Sequence, residues 1–190
     1  DMSEVYPVDP AVIQRTKEFL LGKQKGDGSW ELEQSGIAEG AINRQQGSIV
    51  NTTAYILWSL VESGVEGDPI NRARSFLAGK LDGDIDDPYT LGLLLQVFGD
   101  DPDHTRRDKV VAALERLKKE DEDGGVYWAS EDPSSFGSTG DVGAMEATAL
   151  IALGLIESGL GPSLAQGALD WLVRHKDAMG NWSSTQATIL

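Results

Sequence analysis

The sequence predicts an all-α fold of helical hairpins in two layers, with inner helices apolar and outer helices amphipathic. Three observations predict it. Two nearly identical apolar stretches recur, Thr53 to Gly64 (TAYILWSLVESG) and Thr148 to Gly159 (TALIALGLIESG). Stretches carrying a single apolar stripe alternate with them, as expected when apolar helices are buried and striped helices lie at a surface. Asp-Pro pairs and glycines fall at the junctions, where helices start and stop.

The elements follow in chain order. Asp9-Pro10 opens an outer helix in which Val12, Ile13, Thr16, Phe19 and Leu20 recur at helical spacing. The first inner helix runs from Thr53 and stops at Gly64, which supplies the left-handed residue that ends a helix. Asp68-Pro69 opens the next outer helix, striped by Ile70, Ala73, Phe76 and Leu77. Asp87-Pro88 opens the second inner helix, from Tyr89 to Gly99. In each Asp-Pro pair the carboxylate caps an orphan N–H, and proline has no N–H to orphan. Val110, Val111, Leu114 and Leu117 stripe a further outer helix. Glu120 to Asp141 is polar and predicts a long surface loop, with a short extended piece at Val126-Tyr127-Trp128. The third inner helix starts at Thr148, and Leu164, Ala168, Leu169 and Leu172 stripe the outer helix after it. A fourth inner helix begins at Thr188. Taking Thr53, Thr90, Thr148 and Thr188 as equivalent gives intervals of 37, 58 and 40 residues. A period near forty marks a helical-hairpin repeat, here with one long insertion.

Composition narrows the function classes. The 190 residues suffice for one domain, taken as 1–190, and 40% hydrophobic with 25% charged residues is ordinary globular usage. The net charge of -15 argues against nucleic acid as a partner. No apolar run approaches a membrane span, so no membrane contact is expected from this segment. The absence of cysteine excludes disulfides, thiolate nucleophiles and Cys-based zinc sites within these residues. The opening Asp1 and the apolar start at Thr188-Ile189-Leu190 suggest a chain cut at both ends.

Several motifs invite an enzymatic interpretation. Asp84-Ile85-Asp86-Asp87 resembles the DxDD acid of class II terpene cyclases, and Gln24, Gly28 and Trp30 match the QxxxGxW repeat of triterpene cyclases. Such an acid needs a dry, aromatic-lined cavity. Aromatics at 7% are too few, the chain is too short, and Asp87 already serves as a cap before Pro88. A zinc prenyltransferase falls with the missing cysteine. A glycosidase pair could be nominated from any of the 31 acidic residues, so that signal carries no weight. Asp82, Asp84 and Asp86 alternate like the start of a calcium loop, but the sixth and twelfth positions are Asp87 and Leu93 where Gly and Glu are needed. His104 opens an exposed helix and His175 lies near a helix C-terminus, where a cation is favourable. No catalytic, cofactor-binding or metal-binding residue is assigned, and no cofactor.

Four strings carry a family resemblance. Gln24 to Trp30 (QKGDGSW) resembles the "QKxDGxF" segment of the thioester domains of alpha-2-macroglobulin and complement proteins, and Gly180 to Thr188 (GNWSSTQAT) resembles their "GG(F/Y)xSTQxT" signature. Thr52 to Leu57 is similar to the family's "LTAFVL" helix. Trp128 followed by Met145-Glu146-Ala147-Thr148 is similar to its "W…VEATSYALLAL" stretch. Order and approximate gaps agree over residues 8–190.

The resemblance implies part of an alpha/alpha toroid, and an endopeptidase inhibitor or defence protein in place of a turnover enzyme. In the family a Cys and a Gln of a "GCGEQ" string form an internal thioester upstream of the matched region, and proteolysis exposes it to a nucleophile on the attacker. Neither residue of that string is found here, so the thioester belongs upstream in a longer parent or has been lost. Partners implied are target proteases, through the parent, and its other macroglobulin domains. Complement members carry a His that the soft local match sets at Ala38, and no His stands between Asp1 and Asp103. Short loops, no cysteine and high acidity point to a bacterial type, and the resemblance implies action outside the cell or in its envelope. The rival expectations are a terpene cyclase-like toroid fragment and a helical-repeat interaction module.

Overall fold

The computed structural model describes residues 7–32, 48–81, 83, 85–135, 137–182 and 188. Among these the chain forms seven helices and one small hairpin: α1 (Pro10–Lys23), α2 (Ile49–Glu62), α3 (Asp68–Leu81), α4 (Pro88–Phe98), α5 (His104–Leu117), β1 (Lys119–Glu120), β2 (Val126–Tyr127), α6 (Gly140–Ser158) and α7 (Pro162–Arg174). The fold is all-α, as the alternation of apolar and striped segments predicts.

Helices α2, α4 and α6 form the inner series, with α4 between the other two, and each packs against the outer helix that follows it. Ten of the eleven residues of α4 are buried, which a helix can accept only when it is apolar all round. The outer helix α3 buries only Ile70, Ala73, Leu77 and Leu81, a single stripe. Helices α4 and α6 approach closely because glycines lie between them. A Cβ on Gly92 would stand 3.1 Å from Ile151 and Leu150, and one on Gly154 would stand 2.9 Å from Leu95. Gln96 Nε2 crosses the same seam to donate to the Leu150 carbonyl at 2.8 Å.

Ser48 and Thr90, from the starts of α2 and α4, line one groove with Lys80 and Leu117, from the ends of α3 and α5. Inner helices therefore start at the end of the molecule where outer helices finish, so consecutive helices run antiparallel. Both of the recurrent apolar helices stop in the same way. Gly64 and Gly159 adopt φ of 77° and 66°, and the N–H groups of Val65 and Leu160 reach back to the carbonyls of Leu60 and Leu155. This is the Schellman arrangement, closed by an apolar residue after the glycine.

The structure corrects several expectations. The inner helices begin earlier than their threonines, at Ile49 and Gly140. Asp9 and Asp87 cap as expected, accepting from Ala11 N and Thr90 N. Asp68 instead lies within α3, whose first turn bonds to the carbonyl of Gly67. The 120–141 stretch is not simply a surface loop: Val126–Tyr127 pairs antiparallel with Lys119–Glu120, and Trp128 is completely buried. In α1 the inward stripe is Ile13, Leu20 and Leu21, while Val12 and Phe19 are exposed. Leu169 of α7 is exposed too. A residue one position off the inward direction is turned about 100° away, enough to leave the core.

Candidate functional site

Gln24, Gly28 and Trp30 form one device. Gln24 Nε2 donates to the carbonyls of Gly28 and Pro69, at 3.1 and 2.8 Å, while its Oε1 accepts from Arg72. Gly28, at φ 91°, lets the turn lie against the backbone of α3, where a Cβ would meet the Arg72 carbonyl at 2.4 Å. Asp27 accepts from both the hydroxyl and the N–H of Ser29, and these bonds hold its carboxyl below the usual carboxylate range. Trp30 is buried beneath, with its indole N–H on the Leu20 carbonyl and its backbone N–H on Thr53 Oγ1.

The turn and its tryptophan occur three times, though the glutamine belongs to the first copy alone. Trp128 donates its indole N–H to Leu114 O and its backbone N–H to Thr148 Oγ1. Trp182 does the same with Leu172 O and Thr188 Oγ1. The turns before them match as well, with Lys25, Asp121 and Asp177 donating to the carbonyls of Ser29, Gly125 and Asn181. The middle copy is longer because the two-residue arms of the β1–β2 hairpin are inserted on either side of its turn. QxxxGxW is therefore a packing motif here, tying an outer helix to the following inner one. Thr90, expected to be equivalent to the other threonines, behaves differently: its hydroxyl bonds Asp87 and Asn51 at the start of α4.

A concave surface lies where the inner helices begin. A groove of about 750 Å³ is lined by Ser48, Asp87, Thr90, Lys80, Lys119 and Ser130 among others. A second hollow of about 430 Å³ shares Lys119, Ala129 and Ser130 with it and continues to Trp171 and His175. Beside them lies a buried polar cluster that sequence reasoning missed. Glu146, with no exposed surface, accepts from Ser134 Oγ at 2.5 Å and from Ser138 Oγ at 2.6 Å. Tyr89 lies nearby, and burial pushes its phenol up to about 12, helped by the Glu146 charge and opposed by hydrogen bonds from Ser135. A lone carboxylate inside the apolar run Ala144 to Ala149 was the available signal, since such a group must find donors.

The remaining candidates resolve individually. Asp86 is 64% exposed and paired with Arg116 at 2.7 Å, so it lacks the dry setting that an alkene-protonating acid needs. Asp87 is occupied as the α4 cap and accepts from Ser130 as well. Asp82 and Asp84 lie outside the described residues, as do Ala38 with its neighbours, residues 183–187, Ile189 and Leu190. Among the described residues no group of three or more His, Asp or Glu is arranged to hold a metal, and no helix is long and apolar enough to cross a membrane. His104 opens α5 on the surface. His175 ends α7, stacked on Trp171 at 4.1 Å with Nδ1 on the Trp171 carbonyl.

No curated protein matches the chain at a significant level. The family model of the A-macroglobulin TED domain does match, over residues 1–190. With the whole length matched, an all-α two-layer fold and the thrice-repeated tryptophan turn, the chain belongs to the A-macroglobulin TED domain family of alpha-macroglobulin and complement-like proteins.

Proposed function

We propose that this chain is the thioester-lacking part of the TED domain of a bacterial-type alpha-macroglobulin, an endopeptidase inhibitor or defence protein acting outside the cell or in its envelope. The observation that carries the proposal is the whole-length family match combined with the absence of cysteine. The reacting Cys-Gln pair is then supplied from upstream in the parent, and these residues serve as scaffold without turnover of their own. Further hairpins of the parent extend the inner and outer series into an alpha/alpha toroid. The parent's other macroglobulin domains hold the thioester from water until proteolysis of a bait region releases it.

The resemblance sets Ala38 where complement members carry their His. With no imidazole in the first 103 residues, no thiolate is freed to act as base for a hydroxyl. Transfer is then direct attack, at which an uncharged amine far surpasses a neutral alcohol. The test is to activate the intact parent with a protease and offer labelled methylamine and labelled glycerol side by side. Methylamine incorporation with little glycerol is expected. No incorporation of either would overturn the proposal that the parent supplies a Cys-Gln pair, and equal incorporation would overturn the direct-attack mechanism.

A further inference from the structure

Helices α1 and α7 are the same element in two places. Each opens on a proline and, at the same distance along the helix, offers a carbonyl to a tryptophan indole N–H: Pro10 to Leu20, and Pro162 to Leu172. That register pairs Leu164, Ala168 and Trp171 of α7 with Val12, Thr16 and Phe19 of α1. All three are buried in α7 and exposed in α1. Leu164 and Trp171 are 4% and 5% exposed, while Val12 and Phe19 are 45% and 59% exposed. No residue of α1 is buried.

The difference lies in what stands before each helix. Helix α7 follows the inner helix α6 and packs on it, as α3 packs on α2 and α5 on α4. Tyr127 adds a ring stacked on Trp171 at 4.9 Å. Among the described residues α1 has no such predecessor, and it packs closely on no helix. It is held instead by Leu20 and Leu21 at the edge of the core, and by the bonds from Trp30 to Leu20 and from Lys17 to the Ser63 carbonyl. A helix this short draws its stability from packing an apolar face, and half of that packing is missing.

We propose that the Val12, Thr16 and Phe19 face of α1 is an interface whose occupant is an inner-type helix preceding α1 in the parent. The occupant is apolar nearly all round, as α4 is, and runs antiparallel to α1, completing a fourth pair of inner and outer helices. The described inner helices have between 11 and 19 residues, more than the nine that precede Pro10. The parent therefore supplies this helix from before Asp1. The proposal rests on the reading of a longer parent, and not on its thioester.

Native-state hydrogen exchange compares the 190-residue chain with the full-length protein that contains it. In the chain alone α1 should exchange fastest of the described helices. In the full-length protein it should exchange at least about a hundredfold more slowly. Phe19→Asp should undo most of that protection in the full-length protein and leave α1 exchange in the 190-residue chain unchanged. If that variant does not fold, Phe19→Ala should speed α1 exchange in the full-length protein by about tenfold. Equal α1 exchange in the two proteins, or a full-length protein with no helix before Asp1, would overturn the proposal. So would a dimer of the 190-residue chain, seen by sedimentation and dissolved by Phe19→Asp, because a second copy would then be the occupant. Methylamine labelling reads the thioester separately: α1 protection without amine uptake would sink that reading alone.

Discussion

The backbone N–H of Trp30 donates to Thr53 Oγ1 at 3.0 Å, across 23 residues of sequence. The Trp128–Thr148 pair repeats the bond at 3.1 Å. Each ties the residue after a turn to the inner helix ahead of it, deep enough that water cannot substitute, because Thr53 and Thr148 have no exposed surface.

Thr148→Val should therefore strand a buried N–H and cost about 1–3 kcal/mol. Thr148→Ser keeps the acceptor and loses one methyl, costing about 1 kcal/mol. Denaturant midpoints at constant slope will separate the two. Equal losses would show that the hydroxyl contributes no more than the methyl.

Gly28 and Gly124 occupy corresponding turns and both have positive φ, 91° and 76°, but only Gly28 touches another backbone. Gly124→Ala should cost about 1–2 kcal/mol, for the left-handed conformation alone. Gly28→Ala adds a clash with the Arg72 carbonyl that α3 must move to relieve, so about 3 kcal/mol or more is expected. Thermal unfolding of the two variants should rank them in that order.

Tyr89 gives the chain an alkaline limit. Its folded value of about 12 exceeds the ordinary 10, so its contribution is fully present below pH 10 and is lost as pH rises through 12. The shift corresponds to about 2–3 kcal/mol at the upper limit. Tyr89→Phe should be less stable at pH 8, by about 1 kcal/mol for the lost Ser135 bond. Its stability should then decline less than the wild type's between pH 10 and 12. Parallel declines would mean that Tyr89 does not titrate in the folded state.

Glu157 ends α6 facing the negative pole of that helix. Its carboxyl is raised by desolvation first, then by the charges of Glu62 and Asp100 at the ends of the other two inner helices. A raised carboxyl favours the fold in acid and loses that advantage as pH rises through the folded value. Glu157 is exposed and solvent screens its charge, so Glu157→Gln should stabilise the chain at pH 7 by only about 0.2–0.5 kcal/mol at low salt, with the gain vanishing at pH 3. A variant less stable than wild type at pH 7 would contradict this.

Helix type and order were legible in the sequence because burial imposes periodicity, and the apolar-all-round run Tyr89 to Phe98 leaves few alternatives to a buried helix. The Asp-Pro starts at Asp9 and Asp87 and the stops at Gly64 and Gly159 were legible for the same local reason: a cap bonds residues close in sequence. The strings around Trp30 and Trp182 were visible as motifs, but their purpose was not. A bond from Trp30 to Thr53, or from Ser134 to Glu146, depends on how a connecting segment meets a helix, which no local preference encodes. The tertiary structure alone decided that Phe19 faces outward while Leu20 faces in, and that the Thr90 hydroxyl bonds the cap Asp87 where Thr148 receives a tryptophan. It also gave a single carboxylate in an apolar helix its two serine donors, because a buried charge is tolerable only where folding brings donors to it.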